Sequence, residues 1–140
     1  MYDAILAATD GSKQAEAALA HAIELGAATG ATVHVVTVVE TSDNQLKFST
    51  AEVAELNEAA QAVIDDVVAA HDGQDVDIRG DVRRGRPAEA LLAYAAEADV
   101  DLIVAGERGL GGVAEAILGS TADRLVQQAD RPVTIVPAGE

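Results

Sequence analysis

Two kinds of hydrophobic pattern alternate along this chain, short apolar runs and longer stretches with a helical repeat. The first run, residues 2–8, stops at Thr9-Asp10-Gly11-Ser12, turn residues that end a strand. Ala15, Ala18, Leu19, Ala22 and Ile23 then recur at helical spacing behind Ser12, a natural N-cap, and Gly26 or Gly30 closes that helix. Residues 32–39 are dense in β-branched side chains and predict the clearest strand. The polar stretch from Glu40 to Phe48 has the composition of a loop. Ser49-Thr-Ala-Glu52 is a capping box that opens a long helix. Val53, Leu56, Ala60, Val63, Ile64 and Val67 form its expected buried stripe, and Gly73 its end.

Residues 75–82 alternate apolar and polar, as an exposed edge strand does. Gly85-Arg86-Pro87 interrupts them, and Pro87 suits the first position of a further helix whose Leu91, Leu92 and Ala95 face inward. Residues 101–105 read as a buried strand, Ser120 opens another helix, and residues 131–137 are a last strand bracketed by prolines. The order β-α-β-α-β-α-β-α-β, without internal repeat or linker, specifies one α/β domain over residues 1–140: a parallel sheet with helices on both faces. In such sheets ligands bind beyond the carboxyl ends of the strands, where the strand order reverses.

The stretch between the fourth strand and the last helix carries the chemistry. Gly106-Glu-Arg-Gly109 and Gly119-Ser120-Thr121 bring glycines where backbone can approach a ligand closely. The helix that begins at Ser120 offers unpaired N–H groups and its positive dipole end to an anion. This reads as a phosphate cradle, against the plainer reading of a surface loop with a serine cap. Ser120-x-x-Asp123 is itself capping-box-like. At the end of the first strand, the Asp10 carboxylate suits either ribose hydroxyls or the start of a helix.

The spacing G-x2-G-x9-G-[ST], matched at Gly106, Gly109, Gly119 and Ser120, resembles the ATP-binding signature of the universal stress proteins. The resemblance covers nearly the whole chain. It implies a five-stranded, Rossmann-like sheet of the adenine nucleotide alpha hydrolase-like kind, in the order 3-2-1-4-5. It further implies ATP or AMP, alone or with Mg2+ or Mn2+, as ligand. Ala8, Thr9, Asp10 and Val38 would hold base and ribose, with Gly106, Arg108, Gly109, Gly119, Ser120 and Thr121 around the phosphates. The expected role is regulatory, in a stress response, with at most slow ATP hydrolysis, and the expected assembly is a homodimer through residues 133–136 of the last strand. One residue departs from the pattern: Glu107 stands where family members often carry a small polar side chain. A carboxylate beside a triphosphate costs Coulomb energy unless it points away or a metal bridges the two; Arg108 offsets part of that charge. The alternative is a member of the same fold that binds no nucleotide and acts through protein contacts.

Composition narrows this further. Hydrophobic residues make up 49% of the chain and aromatics only 2%, so the core is built from small side chains. The absence of cysteine excludes disulfides, thiolate metal sites and cysteine nucleophiles. No Ser–His pair or P-loop spacing is present. A phosphoacceptor domain would want clustered acids after the first strand, where Asp10 stands alone. His21, His34 and His71 lack metal-ligand spacing, so no metal site is expected from them. With 24 acids against 9 bases, a net charge of −15 argues against nucleic acid and anionic membranes as partners. It also suggests a halophilic protein, whose self-repulsion a high-salt cytoplasm would screen. No apolar run is long enough for a membrane span and no leader opens the chain, so a soluble cytoplasmic protein is expected. Arg83, Arg84 and Arg86 form the one basic cluster and read as surface charge near an edge, with a contact to phosphate from the carboxyl end of that strand as the weaker alternative.

Overall fold

The computed structural model describes residues 2–40, 50–107 and 120–137. Nine elements alternate: β1 (Ala4–Ala8), α1 (Lys13–Thr29), β2 (Thr32–Glu40), α2 (Thr50–Ala70), β3 (Asp77–Gly85), α3 (Pro87–Ala98), β4 (Leu102–Gly106), α4 (Ser120–Gln128) and β5 (Val133–Val136). The strands pair in parallel in the order β3-β2-β1-β4-β5, as expected. Helices α1 and α2 bury Ile5, Ala7, Val33, Val35 and Val104 on one face. On the other, α3 and α4 bury Leu6, Ala8, Val36, Ile103 and Ala105. Strands covered on both faces must be apolar at every position, which is why the central ones read as unbroken apolar runs.

The local signals act as the residues suggest. Ser12 Oγ accepts from the Ala15 N–H (3.2 Å), and Gly30 closes α1 in the left-handed conformation with φ +76°. Gly26 therefore lies inside the helix, not at its end. Pro87 sits in the first turn of α3. Asp101, read from the sequence as part of a strand, precedes β4 and works as a clamp. Its Oδ2 accepts from the N–H groups of Asp3 (2.7 Å) and Ala4 (3.0 Å), which hold its carboxyl below the usual carboxylate range. β3 begins at Asp77 and runs on to Gly85, later at both ends than the alternation suggests.

Strand lengths shape the top of the sheet. β1 and β4 have five residues each, whereas β2 and β3 have nine. The register places Ala8 beside Val36, and the β2–β3 ladder then continues from Thr37↔Val82 to Glu40↔Gly85. A two-stranded ribbon thus overhangs the carboxyl ends of the central strands. Helix α2 follows it, with Ile64 packed over Gly80 and Arg84 Nε donating to Asn57 Oδ1 (3.3 Å). Here one expectation fails: Leu56, assigned to the buried stripe, is 42% exposed. A ribbon two strands wide gives the first turns of α2 little surface to cover, and burial begins at Ala60 and Ile64. The expected capping residue Ser49 and loop residues 41–48 lie outside the described residues.

Candidate functional site

The strand order reverses between β1 and β4, whose last paired residues are Ala7 and Val104. Beyond them the two chains part. The Thr9 N–H donates to Val36 O (3.0 Å), keeping the β1 extension with β2. The Glu107 N–H donates to Val136 O (3.0 Å), keeping the β4 extension with β5. A crevice opens between the diverging ends, walled on one side by the β2–β3 overhang.

Its floor is apolar: Ala8 and Ala105 are fully buried, and Val38 is half-buried on the overhang in the same cluster. Thr9 is buried, and its Oγ1 accepts from the Gly11 N–H (3.1 Å). Asp10 is exposed at the rim, where its Oδ1 accepts from the Ser12 N–H (2.9 Å). The carboxylate is thereby oriented by the start of α1. Gly11 has φ +81°, and a Cβ there would meet Val63 methyls at 3.0 and 3.3 Å, so α2 packs directly on this turn.

Across the crevice, Gly106 ends β4 and α4 begins at Ser120, which is exposed, with Thr121 buried behind it. The capping box read at Ser120-x-x-Asp123 does not form. Ser120 is already helical, and the Asp123 carboxylate accepts from Gln127 Nε2 (3.3 and 3.2 Å). The structure thus gathers Ala8, Thr9, Asp10, Val38 and Gly106 around the strand ends and sets Ser120 and Thr121 in the first turn of α4. Arg108, Gly109 and Gly119 lie outside the described residues.

The arginine cluster is committed to protein partners, as its surface reading implies. Arg83 pairs with Asp81 (3.0 Å) and Glu97 (3.2 Å) and lies 4.7 Å from the Tyr94 ring centre. Arg86 pairs with Glu89 (3.8 Å). Sequence reasoning missed the group this builds: Tyr94 Oη lies 2.8 Å from His34 Nδ1, beside Arg83. Burial pushes the His34 pKa down, the Arg79 charge adds to this, and Asp77 opposes it. On the opposite face a cavity of ≈ 520 Å³ separates α1 from α2, lined by Leu19, Val63, Val67 and His71 and reaching Thr9. Among the described residues no group of three or more His, Asp or Glu could hold a metal, and no helix is long and apolar enough to cross a membrane.

A five-stranded parallel sheet wound on both sides, with a crevice at its reversal point, defines the doubly wound α/β class. The family model described as the universal stress protein family matches residues 1–137. A universal stress protein of Thermus aquaticus is 36% identical over 138 residues, spanning 97% of this chain and 99% of that protein. This chain belongs to the universal stress protein family. A universal stress family protein from Burkholderia pseudomallei has a solved structure with 30% identity and a TM-score of 0.78, covering 98% of this chain and 97% of that one. Two others share the fold: a universal stress protein in complex with cAMP (24% identity, TM-score 0.67, 99% of both chains) and one from Archaeoglobus fulgidus in complex with dAMP (20%, TM-score 0.68, 96% and 97%).

Proposed function

We propose that this chain binds an adenine nucleotide, ATP or AMP, in the crevice above β1 and β4. It acts there as a regulatory protein of the cytoplasm, with little or no turnover. The observation that carries this reading is the parting of the strand ends, Thr9 to β2 and Glu107 to β5, over an apolar floor. The residues suit the ligand. Val38, half-buried above the fully buried Ala8, offers apolar surface to a base, and Asp10 offers an oriented carboxylate to ribose hydroxyls. The first turn of α4 offers N–H groups and a dipole to phosphate, fed by a glycine-rich segment. Relatives of the same fold hold cAMP and dAMP. Where the Glu107 carboxylate faces a triphosphate, Mg2+ or Mn2+ would offset its charge. The apolar edge strand β5, half-buried along its length, pairs two copies across a two-fold.

The test is nucleotide content. Protein purified in molar KCl is denatured and its supernatant chromatographed. Adenine nucleotide near one per chain, lost in Gly119→Val and reduced in Asp10→Ala, is the expected result. An empty protein that also takes up no Mg2+–ATP in titration would refute the reading and leave a fold that acts through protein contacts.

A further inference from the structure

The outer strand β3 ends the sheet opposite β5, and its sequence is complementary to itself in charge. Reversed about Gly80, the run Asp77-Ile-Arg-Gly80-Asp-Val-Arg83 sets Asp77 against Arg83, Ile78 against Val82 and Arg79 against Asp81. The register with β2 fixes the faces. Asp77, Arg79, Asp81 and Arg83 align with Thr32, His34, Val36 and Val38 on the α3 side, while Ile78 and Val82 lie on the α2 side. Antiparallel pairing with a second copy would therefore place charge opposite countercharge on one face and apolar opposite apolar on the other.

We propose that the β3 edge is a second self-association surface, pairing antiparallel with β3 of another copy about a two-fold at Gly80. The reading is independent of the nucleotide site. Three observations carry it beyond the palindrome. The side chains of Arg79, Asp77 and Asp81 are 68%, 58% and 43% exposed, and their pairs along the strand, Arg79 with Asp77 (3.5 Å) and Asp81 with Arg83 (3.0 Å), stand where a partner strand could share them. The Val82 N–H donates to the carboxylate of its neighbour Asp81 (2.8 Å), as a donor facing an open sheet edge does. Even-numbered N–H groups facing outward would make Gly80 and the Ile78–Val82 pairs the hydrogen-bonded positions. Arg79 and Asp81 would then fall at the closer, non-hydrogen-bonded positions, where side chains interact most. Finally, in a chain with net charge −15 the run from Asp77 to Arg83 is neutral, with two acids against two bases. Net charge drives two copies apart, whereas this run sets unlike charges against each other. An acidic peptide would suit a row of arginines alone, whereas alternation with aspartate suits the strand's own reversed copy.

The test exchanges the central pair. In Arg79→Asp the two-fold would bring aspartate against Asp81, and in Asp81→Arg it would bring arginine against Arg79, so each variant opposes its own pairing. Mixed together, the two variants are complementary at both positions. Tagged full-length chains of one variant are used to capture untagged chains of either, at low ionic strength. Capture of a variant by itself measures whatever pairing occurs elsewhere, β5 included. Mixed capture about tenfold tighter than either self-capture is expected from two pairs changing sign, with self-association restored in the double variant R79D/D81R. Mixed capture equal to self-capture would overturn the proposal. So would stronger self-association of Asp81→Arg than of the unaltered chain, since net charge alone would then govern. Melting curves check that each variant is folded.

Discussion

Gly26 sets helix propensity against packing. In an open helix, replacing glycine by alanine stabilises by about 1 kcal/mol. At position 26 a Cβ would meet Val33 Cγ2 at 2.5 Å, Val76 Cγ2 at 3.0 Å and the Ala31 carbonyl oxygen at 3.3 Å. Val33 is fully buried in the centre of the α1–α2 face, and its β-branched side chain has little rotational freedom with which to yield. Overpacking of this kind costs about 1–3 kcal/mol. Gly26→Ala is therefore expected to destabilise by about 1 kcal/mol net, lowering Tm by roughly 3 °C. In a Val33→Ala background the nearest methyl is gone while the Val76 methyl and the Ala31 carbonyl stay close, so the same substitution should be about neutral. A double-mutant cycle by urea denaturation measures the coupling, expected at about 1 kcal/mol. If Gly26→Ala raised the stability of the otherwise unaltered chain, the close approach of α1 to β2 would not be what keeps glycine there.

Arg131 Nη1 donates to the carbonyls of Ala95 (2.9 Å) and Val100 (2.8 Å), tying the end of α3 to the chain entering β4. Arg131→Ala should cost about 2 kcal/mol in denaturant unfolding, because it leaves two acceptors without their charged donor. Burial lowers the His34 pKa below its ordinary 6.5, so the folded state binds this proton less readily than the unfolded chain. Its contribution is present above pH 6.5 and is lost as pH falls through the native value. His34→Gln should flatten that part of a stability–pH profile, and an unchanged profile would show that His34 is not its source. The charge of −15 predicts a Tm that rises between low and molar KCl; a flat response would remove the halophilic reading.

The alternation of strands and helices was legible because each element carries its own punctuation: Ser12 before α1, Gly30 after it, Pro87 opening α3. Patterns within one element cannot show what covers it from outside. Leu56 repeats at the spacing of Ala60 and Ile64, yet it lies over a ribbon too narrow to bury it. Asp10 is a similar case, since the sequence leaves two uses for its carboxylate and the Ser12 N–H shows that one of them is realised. The His34–Tyr94–Arg83 group joins three elements far apart in sequence, and no spacing announces it. The charge palindrome of β3 was readable from the first, but it gains meaning only when the strand is known to lie at the edge, with its faces fixed by the register to β2.

The unequal strand lengths have a consequence for dynamics. Within β2, residues Val33 to Val36 have β1 on one side and β3 on the other, whereas among the described residues Thr37 to Glu40 pair with β3 alone. One continuous strand therefore spans two levels of protection. Amides of its first half should exchange with solvent only on global opening, and those of the overhang through local fraying that leaves the central strands intact. Because that fraying segment carries Val38 and walls the crevice, the same solvent-exchange step marks the part of the wall that can yield when something enters.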